Sequence, residues 1–300
     1  MLSTAERKYV AAGVAANVRA DGRGRLDYRY VEVHTGVLPQ CNGSARVKLV
    51  GSSTDVVAAV KLEVGAPAAG APTEGRVSVM VECGPSVQSR RRVWGGNAAP
   101  EALNDELSEA LDGAVNCAGA VDMTQLGIVP GKYCWIARVD VMVLDGSGGN
   151  LGDTCCLAAY AALNTTAVPR TVPISVEGGA RAGEEDFEVD PDVAAAQLLD
   201  AAGMPVSITA LDMGGRFIID ATLEEEMCAT ASLTVVADRG RHICCVRKGG
   251  EGTLAPDASR AVVQSVPEIA SVLFTRLDAV LEEAKRAHAR TRRSRVTAYS

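Results

Sequence analysis

The stretch "KYCWIARVDVMVLDGSGGNLGDTCCLAAYAAL", residues 132–163, limits the possible folds more than any other part of the chain. Residues 132–144 are rich in β-branched and aromatic residues and read as one long strand. The run stops at Asp145, Gly146, Ser147, Gly148 and Gly149, and the alanine-rich segment of roughly 150–164 that follows has helical spacing. In a strand–glycine turn–helix junction, backbone N–H groups and the helix dipole converge on one point, which suits an anion. The junction is therefore a phosphate cradle or a plain connection between two buried elements.

Around it, strand-like runs cluster and helices follow, twice. Ser3 and Glu6 stand in capping-box spacing before a helical pattern that reaches about Asn17. After the charged turn "RADGRGRLDYR" (19–29) come strands at 30–38, 45–51, 55–65 and 75–83, then a helix at 98–118 and the long strand and helix above. A second set of strands spans 206–213, 216–222, 231–238 and 241–248, the last two joined by a tight Arg-Gly turn. A long amphipathic helix closes the chain, with a break or bend expected at Pro267. This is an α+β layout of two related halves, without the strict alternation of a doubly wound sheet. The domains read as an N-terminal helix and turn (1–28), a first subdomain (29–176), an acidic connector expected to be solvated (177–192), a second subdomain with its C-terminal helix (193–284), and a basic tail (285–300).

Charge and cysteine content narrow the classes. A net charge of −7 gives no global sign of nucleic-acid binding, but "KRAHARTRRSR" (285–295) carries no acid. Such a run is a solvated tail, an RNA contact or a nuclear address. The nine cysteines include no C-x-x-C, and with only His34, His242 and His288 present no zinc-type cluster exists. Both adjacent pairs, Cys155–Cys156 and Cys244–Cys245, sit in apolar context and are expected to be buried, reduced thiols of an intracellular protein. No leader peptide and no apolar run of membrane-spanning length stands out.

Five separated stretches then occur in a telling order: "RADGRGRLDYRYVEV", "NGSARVKLVGSSTDVVAAVKLEV", "VDVMVLDGSGGNLGD", "IIDATLEEEMC" and "VRKGGEGTL". Together they resemble the ribonuclease PH family, and within it the non-catalytic ring subunits of the RNA exosome. The resemblance covers about residues 3–280. It implies the ribonuclease PH fold, two pseudo-repeated α+β subdomains, and assembly into a six-membered ring around a pore.

Active members of that family resemble this chain at the glycine turn but follow it with a hydroxyl residue, an arginine and a second hydroxyl residue that grip phosphate. Here Asn150, Leu151, Gly152 and Asp153 stand there. Leu151 in place of the arginine cannot donate a hydrogen bond, and losing one such donor costs about 10²–10³ in rate. Asp153 is expected to add a repelling charge. The family's carboxylate pair is matched by Asp220 and, six residues on, the longer Glu226, so magnesium binding stays open. Glu224, Glu225 and Glu226 otherwise read as a hydrated acidic turn.

The resemblance implies no catalytic residue, with Asp220 and Glu226 as vestiges, and no cofactor or metal. The work implied is structural and RNA-guiding: 3′→5′ RNA processing, including rRNA processing, and degradation. The implied partners are other ribonuclease PH-like ring subunits, RNA-binding cap subunits, associated nucleases and RNA, in nucleus, nucleolus and cytoplasm. The alternative is an active phosphate-dependent 3′→5′ exoribonuclease. Arg90, Arg91 and Arg92 beside Trp94 form the one internal basic cluster, an RNA contact or a solvated loop. Asp21 and Arg23 are expected to fix their turn by local pairing. Lys61 and Glu63 share one face of a strand, in a core salt bridge or near the RNA path.

Overall fold

The computed structural model of the protein describes residues 2–85, 87, 100–175 and 185–298. The first sheet contains β1 (Val31–Thr35), β2 (Gly43–Leu49), β3 (Asp55–Gly65), β4 (Arg76–Cys83), β5 (Gly127–Val129) and β6 (Tyr133–Asp145). Its order is β1-β2-β3-β6-β4, with β5 paired to β6, and only the β4–β6 pairing is parallel. Alternation along β6 explains the layering: Ala137, Val139, Val141 and Val143 are buried, whereas Arg138, Asp140, Met142 and Leu144 face outward. Short hairpins follow, β7 (Ala167–Val168) with β10 (Gln197–Leu198), and β8 (Thr171–Ser175) with β9 (Glu185–Val189).

The second sheet, in the order β12-β11-β13-β14, is built from β11 (Val206–Asp212), β12 (Phe217–Ile219), β13 (Ala231–Ala237) and β14 (Ile243–Gly249), all antiparallel. The helices are α1 (Thr4–Ala15), α2 (Pro100–Val115), α3 (Leu151–Leu163), the short α4 (Leu223–Glu226) and α5 (Pro256–Ala298). The Ser3–Glu6 capping box forms as its spacing predicts.

Helix α3 sits between the sheets, touching β2, β3 and β6 on one side and β11 on the other. Every residue from Asp153 to Leu163 is buried. Four alanines, Ala158, Ala159, Ala161 and Ala162, make this possible, because methyl side chains let the sheets approach closely beside the bulky buried Tyr160. Tyr160, Leu157 and Leu163 fill the remaining space, and truncating one of these leucines to alanine costs about 2–5 kcal/mol. The opening junction is thus carried on the most enclosed helix of the fold.

Three expectations are corrected. Helix α5 runs unbroken past Pro267. Val262 and Val266 before the proline, and Ala270, Leu273 and Phe274 after it, are buried in the core, so packing on both sides offsets the lost hydrogen bond. The same helical backbone continues through the basic run at 285–295. The acidic stretch 177–192 contains β9, where Phe187 and Val189 alternate with charged residues and Phe187 meets the Tyr133 ring at 5.3 Å. Cys155 and Cys156 are buried, but Cys244 and Cys245 are exposed, because β14 is an edge strand. Among the described residues no helix is long and apolar enough to cross a membrane.

Candidate functional site

The turn between β6 and α3 is held from within. Asp145 Oδ1 accepts from the Ser147 N–H at 2.8 Å and from its hydroxyl at 2.7 Å. Gly149 has φ +76°, and a Cβ there would lie 2.7 Å from the Ala221 carbonyl oxygen and 2.8 Å from the Leu223 nitrogen. The turn therefore presses against the segment that leaves β12, and only glycine fits. Gly149→Ala is expected to lose about 2–3 kcal/mol, from φ strain plus displaced backbone. A thermal melt against the unsubstituted chain checks this.

Asn150 follows, also in the left-handed region at φ 57° and ψ 47°. Its side chain does not cap α3. Nδ2 donates instead to Asp220 Oδ1 at 2.8 Å and to the Tyr28 hydroxyl at 3.0 Å, while its backbone N–H donates to Glu226 Oε1 at 2.7 Å. The start of α3 thus receives an anion, and it is the chain's own carboxylate.

Asp220 is the centre of the site. It is fully buried, with φ +47°. Its Oδ2 accepts from the Arg29 backbone N–H at 2.7 Å, from Arg29 Nε at 2.8 Å and from Arg23 Nη1 at 2.8 Å. Its Oδ1 accepts from Arg29 Nη2 at 2.6 Å as well as from Asn150. Burial alone would raise the Asp220 carboxyl, but the Arg29 bonds and the charges of Arg29 and Arg23 outweigh it and hold the group below the usual carboxylate range. Arg29 also donates to the Gly148 and Ala221 carbonyls, tying the glycine turn to the second sheet. Arg19, itself buried, pairs with Glu225 and donates to the Ile219 and Asp220 carbonyls.

Asp220 and Glu226 are therefore brought together, both accepting from Asn150, Asp220 from the side-chain amide and Glu226 from the backbone N–H. A magnesium ion does not fit at Asp220, whose two oxygens already accept five hydrogen bonds, three of them from arginine side chains. Among the described residues no group of three potential ligands is poised for a metal. Leu151, half-buried, lines a cavity of about 670 Å³ together with Glu226, Gly146 and Leu107.

Other expectations change here. Asp153 does not face an incoming anion: it is enclosed, and Thr209 donates to it from N–H at 2.9 Å and from Oγ1 at 2.8 Å. As the third residue of α3 it lies on the side of the helix that packs against β11. Glu224–Glu226 is not a hydrated turn either. Thr222 and Glu225 form a capping box, Glu225 is buried against Arg19, and only Glu224 is exposed. Asp21 does pair with Arg23, but Arg23 reaches Asp220 as well. Lys61 and Glu63 lie on the exposed face of the first sheet, where Glu63 pairs with Arg138 of β6 rather than with Lys61. Arg90, Arg91 and Arg92 lie outside the described residues.

Arg19, Arg29 and Tyr28 are the site residues that the motifs leave out, while Asn150 enters there only as the residue in place of a hydroxyl side chain. The arginines stand in a stretch so charged that it reads as solvent-facing. Their partners lie about two hundred positions away, and no local signal announces them.

The comparisons with known proteins fit this geometry. Two models of the 3′ exoribonuclease family match in order, domain 1 over residues 27–169 and domain 2 over 203–263. The chain belongs to the 3′ exoribonuclease (ribonuclease PH) family. It is 30% identical to a Dictyostelium discoideum protein described as a candidate exosome complex exonuclease, Rrp42, over 94% of this chain and 98% of the relative. It is 31% identical to the exosome complex component Rrp42 of Methanocella arvoryzae, over 93% and 98%. A solved chain of the Archaeoglobus fulgidus exosome, with RNA bound to the active site, superposes with a TM-score of 0.74 at 29% identity, covering 91% of this chain and 97% of that one. The two-domain fold with N-terminal and long C-terminal helices is thus that of the family.

Proposed function

We propose that this chain is a catalytically silent subunit of an exosome core, building its ring with other ribonuclease PH-like chains and guiding RNA to 3′→5′ processing and degradation. One observation carries the reading. At the start of α3 the anion position is taken by the Glu226 carboxylate and the neighbouring wall is the Leu151 side chain. An inorganic phosphate would have to displace an internal carboxylate, and Leu151 offers it no donor in return. Arg29, which reaches the turn, is committed to Asp220.

The nearly full-length likeness to exosome components in archaea and in Dictyostelium supports the assembly. RNA guidance is assigned to Arg90, Arg91 and Arg92 with Trp94, and to the basic run at 285–295, since arginines hold phosphates without regard to sequence. RNA-binding cap subunits and associated nucleases complete the particle. Its work in the nucleus, nucleolus and cytoplasm, rRNA processing included, follows from the same family reading.

Two measurements test it. Purified chain given a 3′-hydroxyl RNA, magnesium and inorganic phosphate is expected to release no nucleoside diphosphate. Leu151→Arg alone is expected to stay silent, because Glu226 keeps its place. Phosphate-dependent release by the unaltered chain would restore the enzyme reading. Native mass analysis of the cellular particle should show several different ribonuclease PH-like chains. A closed ring of six identical 31.1 kDa chains would sink the scaffold reading.

A further inference from the structure

One hydroxyl of the second sheet is buried and unused. Ser207 of β11 is 8% exposed, and its Oγ is the one buried side-chain oxygen or nitrogen without a hydrogen-bond partner among the described residues. It lines the cavity of about 670 Å³ that Leu151 borders. A buried hydroxyl left unpaired is costly, and it marks a place that a ligand can complete. The cavity has two unlike walls. Leu103, Leu107 and Leu111 stand four residues apart on α2 and form an apolar stripe. The facing wall is a sheet surface that bears hydroxyls, Ser207 and Thr209 from β11 and Ser232 and Thr234 from β13. Its charged residues oppose one another in sign, Glu106 and Glu109 on α2 against Arg247 and Lys248 on β14, while Glu226 already holds the Asn150 N–H.

The hydroxyls form a chain with a direction. Thr209 stands opposite Thr234, and their Oγ1 atoms are 3.0 Å apart. Thr209 gives its only hydroxyl proton to Asp153 Oδ1 at 2.8 Å. Its oxygen is then the acceptor for Thr234, whose own proton is used in turn. With Asp153 ionised, Thr234 therefore has only lone pairs left for the cavity.

We propose that this cavity binds a flat, neutral aromatic molecule that donates one N–H or O–H to Thr234 and pairs with the unused Ser207 hydroxyl. Its volume lies in the range of small-molecule sites, which are mostly apolar with a few placed polar groups. The leucine stripe takes one face of the ring, and the hydroxyl wall takes its donor. A ligand that can only accept finds no proton on Thr234, and a charged one would lose its water without gaining a dedicated partner. The site rests neither on RNA nor on ring assembly.

The test uses the full chain at pH 8, above the value of about 7 to which burial raises Asp153. Three flat bicyclic probes are compared: indole, which donates; quinoline, which accepts; and naphthalene, which does neither. Ligand-observed NMR titration gives the three dissociation constants. Indole is expected to bind about fivefold more tightly than the other two, the worth of one hydrogen bond. Thr234→Val should erase that preference. Asp153→Asn should reverse it: the Thr209 N–H holds the amide oxygen, the amide N–H donates to Thr209 Oγ1, and Thr234 then offers quinoline a proton. Leu107→Trp fills the cavity and should abolish binding of all three probes. Circular dichroism checks that each variant is folded, and Thr234→Val, which keeps the side-chain shape, carries the test if Leu107→Trp does not fold. Absence of indole binding, equal affinity for the three probes, or an indole preference that survives Thr234→Val would overturn the proposal.

Discussion

Replacing Asp220 with alanine is expected to destabilise the folded chain by about 3–5 kcal/mol, the cost of removing one partner of a buried ion pair. The reason lies in what is left behind. Arg29 is almost fully buried beside Asp220, and Arg23 has only a small exposed fraction. Without the carboxylate, the buried Arg29 guanidinium has no charged acceptor and the Asn150 amide keeps only the Tyr28 hydroxyl, while Arg23 retains Asp21. The carbonyls of Gly148 and Ala221 remain for Arg29 but carry no charge. Asp220→Asn keeps one acceptor and loses the charge, so it should fall between the two. Urea unfolding followed by circular dichroism reads both variants. A loss below about 1 kcal/mol for the alanine variant would mean that the arginines find water instead, and that the site is open rather than locked. The pH sign follows from the same contacts. The folded Asp220 carboxyl lies below its unfolded value of 3.8, so its stabilisation is complete above that value and is lost as pH falls through the folded one.

This network explains which parts of the molecule could be read from its residues. Strands with one buried face are legible: the bounds of β3 match the run 55–65, and the alternation in β6 is continuous. Helix α3 was legible from its alanines. The glycine turn was recognisable as a junction, and Leu151 and Glu226 mark what it lacks. What was hidden depends on distance in sequence. "RADGRGRLDYR" looks like a solvated charged turn until β12 places Asp220 against it, and then Arg19 and Arg29 become interior residues and Arg23 is half-buried. Glu225 looked exposed for the same reason, since its partner is Arg19. Cys244 and Cys245 looked buried because apolar neighbours say nothing about whether a strand lies at an edge. In each case the missing information is which segment, if any, lies over the residues.

The second large effect belongs to Asp153, and it runs against that of Asp220. Asp153 is fully enclosed, and burial pushes its carboxyl from 3.8 up to about 7, with the Thr209 bonds offsetting only part of the shift. A carboxyl whose folded pKa is raised stabilises the fold in its protonated form. That contribution is complete below the unfolded value of 3.8 and is lost as pH rises through about 7. At 1.36 kcal/mol per unit, the difference between the two ends of this window is about 4 kcal/mol. Asp153→Asn removes the titration while keeping an oxygen for the Thr209 N–H and offering an amide donor toward the Thr209 hydroxyl. The variant is therefore expected to be more stable than the unsubstituted chain at pH 8, and the advantage should shrink steadily toward pH 4. Unfolding by urea at pH 4, 5, 6, 7 and 8 gives both curves. Parallel curves would show that Asp153 stays ionised in the core throughout, held by charges that Thr209 does not supply. Converging curves would place a half-protonated carboxylic acid on α3 at neutral pH, beside a turn that has already supplied its own anion from Glu226.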